Sequence, residues 1–209
     1  MSSDKFECEL MDWEHFYSLS QEVAHKIIGS GYEPDFVVGL ARGGWVLARV
    51  LCDLLGVKDL ISLKVEHWGI TASPDGQARL KYPFDIDLTG RRVLVVDDIT
   101  DTGESMRIAT EYVETLNPGE VRTAALRHIT GSGVVPDYYG DEIAWRWIIF
   151  PWNYVEDMVN ILPKASEGAK DLSEMRKRLQ DNHGIDIEEQ EIGRLLKEVE
   201  RRTAQLRTP

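Results

Sequence analysis

The stretch VLVVDDITDTGES, residues 93–105, decides the fold that this sequence predicts. An apolar run typical of a buried strand ends at Asp97 and Asp98, and a turn rich in hydroxyl groups and glycine follows before a helix begins. The turn, 101–105, lies where the free N–H groups and the positive end of that helix are exposed, and this arrangement favours a phosphate. The stretch therefore predicts a strand, an anion-binding turn and a helix in succession.

The two ends of this stretch suit different parts of a ligand. In the turn, Gly103 allows close approach of the backbone, Thr102 and Ser105 can donate hydroxyl hydrogen bonds, and Glu104 suits the helix dipole if its side chain points outward. Since two carboxylates repel a phosphate, the aspartate pair before the turn is expected to face hydroxyl groups or a divalent metal. A phosphorylated sugar has both a phosphate for the turn and hydroxyl groups for the aspartates. Taken alone, the two aspartates are as consistent with helix capping.

Strands and helices alternate around this stretch with short connections. Such a pattern predicts a mostly parallel sheet covered by helices, with ligands at the carboxyl ends of the strands. The strands are predicted at 36–40, 60–68, 91–96, 121–129 and 144–150, and helices at 12–29, 45–56 and 104–117.

Two further segments can present positive charge to an anion. In GLARGGW (39–45), which again follows a strand and precedes a helix, Arg42 offers a guanidinium, and Gly43 and Gly44 expose backbone N–H groups. Residues 70–84 are rich in turn formers and predict an exposed, mobile loop that carries Arg79 and Lys81. The alternative for that loop is a solvated basic segment without a ligand.

Composition narrows the classes of function. The chain has 209 residues, of which 43% are hydrophobic and 29% charged, a net charge of −12 and two cysteines, Cys8 and Cys52. The negative charge argues against nonspecific binding to nucleic acid, and no stretch approaches the ~20 apolar residues that span a membrane. The N-terminus lacks the apolar core of a signal peptide, so we expect a cytoplasmic protein.

The composition changes near residue 165. Residues 165–209 are strongly charged and predict two amphipathic helices joined at Asn182-His183-Gly184, so the domains are expected at 1–164 and 165–209. The C-terminal helical extension is interpreted as a hairpin that packs on the core or on a second subunit, with a partner-recruiting module as the alternative.

The motif at 93–105 resembles the PRPP (phosphoribosyl pyrophosphate) signature of type I phosphoribosyltransferases. The resemblance spans roughly residues 35–152 and implies the type I phosphoribosyltransferase fold. It assigns the ribose hydroxyls and a Mg²⁺ cofactor to Asp97 and Asp98, and catalysis to Asp101 and Arg42. The 5′-phosphate is assigned to Asp101, Thr102, Gly103, Glu104 and Ser105, and pyrophosphate to Arg42, Gly43, Gly44, Arg79 and Lys81.

Residues 127–152 are similar to the base-binding region of bacterial xanthine-guanine phosphoribosyltransferases. The match rests on Asp137-Tyr138 and on the motif from Trp147 to Trp152, and it implies that Trp147 stacks on the base while Ile148 offers backbone contacts. The lysine that reads a 6-oxo group in that family falls on His128, which donates one hydrogen bond without a permanent charge. Its alternative is a strand residue with an incidental hydrogen bond. Trp145 and Trp152 are expected to be packing residues.

The resemblance implies a purine salvage enzyme. Its partners would be PRPP, a purine base (hypoxanthine, guanine or xanthine), pyrophosphate and a nucleoside monophosphate, without nucleic acid or membrane, and the chain would form a homo-oligomer, expected to be a dimer. Two alternatives stay open: a PRPP-sensing regulator with the same fold, and a transferase for another base or amine. The family's pyrophosphate loop often has a non-proline cis peptide, and the sequence does not tell whether Ala41-Arg42 is one.

Overall fold

The computed structural model describes residues 5–67 and 78–206. The chain divides into two compact units: one runs from Glu14 to Trp145, and the other combines the residues up to Trp13 with those from Arg146 onward. In chain order the elements are β1 (Cys8–Leu10), α1 (Trp13–Gly29), β2 (Phe36–Ala41), α2 (Gly44–Leu55), β3 (Asp59–His67), β4 (Ala78–Tyr82), β5 (Arg92–Thr100), α3 (Glu104–Glu114), β6 (Glu120–Ile129), β7 (Tyr138–Ile143), β8 (Trp147–Ile149), α4 (Tyr154–Ser166), α5 (Leu172–His183) and α6 (Glu189–Leu206).

The larger unit is built on a six-stranded sheet in the order β4-β3-β2-β5-β6-β7. Every neighbouring pair is parallel except β3 and β4, which are antiparallel. The central strands are apolar on both faces: Val37, Val38 and the run Val93–Val96 are fully buried. Burial on both faces is typical of a parallel sheet covered by helices, so the predicted fold class is confirmed.

One face of this sheet packs against α3. Its core contains Val38 and Leu40 of β2, Leu63 of β3, and Met106 and other apolar residues of α3. Because side chains alternate along a strand, the residues between these, such as Gly39 and Ala41 of β2, belong to the opposite face, where Gly39 approaches Ala48 of α2.

Three predicted elements differ from the observed ones in the larger unit. β5 continues past the aspartates to Thr100 because β6 pairs with it as far as His128. The predicted loop 70–84 is wrong for 78–82, which form β4 because they pair with β3 and because Leu80 packs toward the core; residues 70–77 lie outside the described residues. The helix from 104 ends at Glu114 rather than at 117, where Asn117 has a positive φ of 56°.

The smaller unit contains a two-stranded parallel sheet, β1 with β8, and the three last helices. Its core joins Cys8 of β1 and Ile149 of β8 to Met158, Leu179 and Leu195, one from each helix in turn. The side chain of Asp171 caps α5 by accepting a hydrogen bond from the N–H of Glu174 at 2.9 Å, and Gly184 ends it with a left-handed φ of 70°.

The two predicted C-terminal helices are confirmed, with the glycine of Asn182-His183-Gly184 as the stop signal. β1 and α4 were not predicted, and the predicted strand 144–150 contains only the short β8. The boundary between 164 and 165 stays a prediction. Within 5–67 and 78–206, no helix has both the length and the apolar character needed to cross a membrane.

Candidate functional site

The turn between β5 and α3 has the geometry of an anion site. Gly103 precedes the first residue of α3 and has a φ of 81°, and an added Cβ there would lie 2.7 Å from both the N and the Cβ of Val134. Both facts require glycine, because a left-handed backbone and a filled space each exclude a side chain. The Thr102 hydroxyl accepts a hydrogen bond from the N–H of Glu104 at 3.3 Å. A tight turn that requires glycine therefore precedes the N-terminal end of α3.

Glu104, one of the two acidic residues in this turn, is paired with an arginine. Arg107, one turn along α3, donates from Nε to Glu104 Oε2 at 3.1 Å and also bonds Glu111 at 2.6 Å. The Glu104 carboxylate is thus held along the helix by an i,i+3 ion pair. This arrangement agrees with the expected outward orientation of Glu104.

A segment after β6 supports the turn, and the sequence did not reveal it. The N–H of Gly133 donates to the carbonyl of Thr102 at 3.1 Å, and Ser132 Oγ lies 3.0 Å from the position that a Cβ of Gly103 would occupy. The glycine and serine of the run Thr130–Val134 signalled only a loop. Its contact with the 101–105 turn depends on sheet pairing, which no local pattern encodes.

The second glycine turn, between β2 and α2, lies directly against the aspartates of β5. The peptide Ala41-Arg42 is cis, which answers the question that the sequence left open. An added Cβ at Gly43 would lie 1.6 Å from Asp98 Oδ2, and one at Gly44 would lie 2.7 Å from the Cα of Asp97. Only glycine allows the backbone to approach the acidic pair this closely.

The aspartate pair lies in an electrostatically unfavourable environment. Asp97 Oδ1 accepts the N–H of Asp98 at 3.0 Å. Burial, together with the neighbouring charge of Asp98, raises the pKa of Asp97 well above its usual range. A cation or a set of hydroxyl donors at this point would relieve both effects.

The carboxylate oxygens of Asp97 and Asp98 fit a Mg²⁺ ion that is also coordinated by a phosphorylated ligand. Mg²⁺ prefers oxygen ligands and is often held by one or two carboxylates, with phosphates and waters completing the octahedron. Asp97 and Asp98 supply such carboxylates, and the described ranges contain no group of three acidic, histidine or cysteine residues that would hold a metal by themselves. The two carboxylates therefore fit a Mg²⁺ ion whose other ligands are phosphate and water oxygens.

The predicted pyrophosphate residues beyond the glycine turn lie on β4. Arg79 is the register partner of Glu66 on β3, and Lys81 Nζ donates to Glu66 Oε1 at 2.9 Å. The bonds from Lys64 and then Lys81 lower the pKa of Glu66. Arg79 and Lys81 thus extend from a paired strand, next to a carboxylate that the sequence analysis did not single out.

His128, the predicted reader of the base, is buried near the carboxyl end of β6. It is 3% exposed, and its Nδ1 lies 2.8 Å from the hydroxyl of Thr100, itself 1% exposed. The ring also contacts Tyr139, with the two ring centroids 5.3 Å apart. A buried, hydrogen-bonded strand histidine is the alternative that the sequence left open, and these contacts support it.

The other predicted base contacts belong to the smaller unit. Trp147 and Ile148 lie on β8, where the N–H of Trp147 donates to the carbonyl of Glu7 at 2.9 Å and Ile148 pairs with Glu9 of β1. Trp152 stacks on Phe150 with centroids 4.7 Å apart, as expected for a packing residue.

The same prediction is wrong for Trp145. Its side chain is 54% exposed, so it does not pack into a core. Tryptophan is usually buried to a large extent, and neither the periodicity nor the neighbours of Trp145 in the sequence signalled the exception.

Together, two glycine turns and an acidic pair lie at the carboxyl ends of the parallel strands of an α/β fold, where proteins of this architecture bind their ligands. The chain belongs to the family described as the phosphoribosyl transferase domain, whose model matches residues 8–157. The prediction of a phosphoribosyltransferase is confirmed at this level.

Relatives and solved structures agree with this membership. A xanthine-guanine phosphoribosyltransferase of Cereibacter sphaeroides is 30% identical over 158 residues, which are 70% of this chain and 89% of the relative. One from Chromohalobacter salexigens is 27% identical over 170 residues, 77% of this chain and 96% of the relative. A crystal structure of a purine phosphoribosyltransferase from Pyrococcus horikoshii aligns with a TM-score of 0.62 and 30% identity, over 70% of this chain and 94% of that one.

Proposed function

We propose that this chain transfers the 5-phosphoribosyl group from PRPP to a purine base and releases pyrophosphate, as an enzyme of purine salvage. One observation carries the proposal: the glycine turn after β2 lies against the two aspartates of β5, while the same strand leads into a second glycine turn at the start of α3. A ligand that needs two anion sites on either side of a hydroxyl-binding pair is a sugar with phosphates at both ends. The choice of a purine as the base follows from the names of the relatives.

Each group of site residues then has a role. The turn from Asp101 to Ser105 binds the 5′-phosphate through backbone N–H groups and the hydroxyls of Thr102 and Ser105. Asp97 and Asp98 accept hydrogen bonds from the ribose hydroxyls. Pyrophosphate is bound by Arg42, Gly43, Gly44, Arg79 and Lys81.

The divalent cofactor is proposed to be Mg²⁺, held by Asp97 and Asp98 with oxygens of PRPP. When bound, it would neutralise part of the negative charge on the pyrophosphate. Support comes from the oxygen-only donor pair and from the raised pKa of Asp97, which a bound cation would offset.

The transfer breaks the bond between C1 of the ribose and the pyrophosphate oxygen and forms a bond from C1 to a nitrogen of the base. The electron pair of the broken bond leaves with pyrophosphate, where the Arg42 guanidinium and the N–H groups of Gly43 and Gly44 stabilise it. The proton lost by the base nitrogen passes to Asp101, the exposed carboxylate at the end of β5. Holding both reactants in line can itself lower the barrier by several kcal/mol, up to about 7–11.

The base is proposed to be a 6-oxopurine, with Trp147 stacking on the ring, Ile148 contacting its edge and His128 at the position of the family's lysine. For His128 the proposal requires that Nε2 reach the base, because Nδ1 is bonded to Thr100. The presence of a histidine where the family has a lysine favours a second candidate function, a transferase for adenine or another base without a 6-oxo group. The proposal also places the enzyme in the cytoplasm as a homo-oligomer, expected to be a dimer.

The test is base-dependent release of pyrophosphate from PRPP and Mg²⁺. Purified protein is assayed with hypoxanthine, guanine, xanthine, adenine, uracil and orotate, alongside Asp101→Asn and the control Asp53→Asn, which changes an exposed aspartate on α2. We expect turnover with a 6-oxopurine, a loss of roughly 10²–10⁴-fold in Asp101→Asn and none in the control. Turnover with adenine alone would select the second candidate. Tight binding of PRPP without turnover on any base would reject the enzyme and favour a PRPP-sensing regulator.

A further inference from the structure

Positive charge is concentrated at one edge of the sheet, where β3 meets β4. Lys64 Nζ lies 2.6 Å from Glu66 Oε1, and Lys81 Nζ lies 2.9 Å from the same oxygen. Arg79 is the register partner of Glu66 across the two strands. Two ammonium groups thus bind one carboxylate, and a third cationic residue stands opposite it in the strand register, in a chain whose net charge is −12. This concentration of positive charge marks the edge as a local anion-attracting surface.

The register of the sheet brings this edge next to the glycine turn after β2. Lys64 is the direct partner of Ala41, the last residue of β2 and the neighbour of Arg42. Adjacent strands lie about 4.8 Å apart, so the backbone of Lys64 adjoins the start of the turn. Lys64 is therefore the cation that β3 places beside the proposed pyrophosphate site.

The direction of the side chain follows from alternation along the strands. Leu63 and Leu40 belong to the face that packs against α3, so Lys64 and Ala41 belong to the other face. Asp98, whose carboxylate touches the glycine turn, lies on that other face too, because it alternates with Val93 and Val95 of the α3 side. Lys64 thus shares its face with Asp98 and with the turn.

We propose that Lys64 is a further pyrophosphate-binding residue and that Glu66 is a positioning residue which competes with pyrophosphate for Lys64 and Lys81. This inference rests on the proposed function and extends it to residues that the family resemblance does not assign.

The exchange of partners is physically easy. The side chains of Lys64, Lys81 and Glu66 are 30%, 41% and 34% exposed, and ion pairs at such exposure hold weakly. Both ammonium groups sit on flexible four-carbon stems, so they can leave Glu66 for a multiply charged anion nearby. When pyrophosphate departs, Glu66 is close enough to bind both again, which favours release of the product.

The test separates the two anion sites by measuring two ligands. Binding of inorganic pyrophosphate and of ribose 5-phosphate, each with Mg²⁺, is followed by titration calorimetry for the full chain, Lys64→Gln and Lys64→Arg. The control is Lys58→Gln, which changes an exposed lysine just before the amino end of the same strand. We expect Lys64→Gln to weaken pyrophosphate binding roughly tenfold, as for loss of a charged hydrogen bond, and to leave ribose 5-phosphate unchanged. Lys64→Arg should retain most of the affinity, and the control should match the wild type.

Glu66→Gln provides a second, opposite readout. Removing the competing carboxylate should tighten pyrophosphate binding several-fold, with no effect on ribose 5-phosphate. Weaker pyrophosphate binding in this variant would refute the competition.

The possible failures are distinguishable. If the wild type binds both ligands and Lys64→Gln binds pyrophosphate as tightly, the inference about Lys64 is wrong while the proposed function stands. An equal loss of both ligands in Lys64→Gln would assign Lys64 to the stability of the strand and also overturn the inference. A wild type that binds neither ligand would contradict the proposed function and the inference together.

Discussion

Alanine at position 43 or at position 44 tests how tightly the glycine turn is fitted to the acidic pair. At Gly43 the new Cβ would lie 1.6 Å from Oδ2 and 2.4 Å from Cγ of Asp98, which are the far end of a side chain. At Gly44 it would lie 2.7 Å from the Cα of Asp97 and 2.7 Å from the carbonyl oxygen of Val96, which are backbone. The first clash can be relieved by rotating the Asp98 side chain about its Cα–Cβ bond, whereas the second requires the central strand to shift.

The two variants should therefore fail in different ways. Overpacking of this kind costs about 1–3 kcal/mol, and each kcal/mol lowers the Tm of a chain this size by about 2–4 °C, so Gly44→Ala is expected to lose about 2–12 °C. Gly43→Ala should lose less, near the ~0.5–1.5 kcal/mol of a strained rotamer. Its PRPP affinity should nevertheless fall by roughly tenfold or more, because Asp98 is displaced from the ribose.

Thermal unfolding and calorimetric binding of PRPP with Mg²⁺ measure both effects. Gly29→Ala is the matched control, since nothing beyond its own helix and chain neighbours lies within 4 Å of the position its Cβ would take, and it should match the wild type in both assays. The reasoning is refuted if Gly43→Ala binds PRPP as the wild type does, or if Gly44→Ala unfolds at the temperature of Gly29→Ala.

Three other predictions concern the interior. Thr100→Val should lower the Tm by about 2–12 °C, because the buried His128 nitrogen then loses its hydrogen-bond partner, at a cost of about 1–3 kcal/mol. An unchanged Tm would mean that the hydrogen bond between Thr100 and His128 contributes nothing to stability. Asp97→Asn should raise the Tm of the ligand-free chain at pH 8 but not near pH 4, and abolish PRPP binding. The pKa of Asp97 is raised above its ordinary 3.8 by burial and then by Asp98, so the folded chain keeps a proton that the unfolded chain releases, and stability falls as pH rises through the raised value. A Tm difference independent of pH would contradict this. Leu179→Ala, which empties a fully buried position, should destabilise the smaller unit by about 2–5 kcal/mol in denaturant unfolding, and an effect below 1 kcal/mol would show that α5 packs loosely.

Local patterns predicted the parts of the fold that local sequence determines. The run of valines before Asp97, the glycine at 103 and the helix after it are consecutive, so the order strand, turn and helix could be deduced from residue types alone. The glycine turn at 42–44 was predicted in the same way. Its closeness to Asp98 was not, because that contact depends on β2 pairing with β5 across more than fifty residues of chain.

The elements that were not predicted, β1 and α4, have no clear local signal in the sequence. β1 has three residues, and its partner β8 is far along the chain, so neither hydrophobic alternation nor a turn signal marks the pair. α4 contains Pro163, a residue that predicts the end of a helix rather than its interior. Lys64 was missed as a site residue for a similar reason: only the sheet register, Lys64 opposite Ala41, brings it to the glycine turn.

The most direct test of the central claim is a ³¹P NMR time course of PRPP, Mg²⁺ and guanine or hypoxanthine with the wild-type chain. The account predicts that PRPP resonances disappear only when base is present, and that pyrophosphate and a nucleoside 5′-monophosphate appear in equal amounts. Pyrophosphate accompanied by ribose 5-phosphate, at a rate independent of the base, would show hydrolysis rather than transfer and would contradict the account.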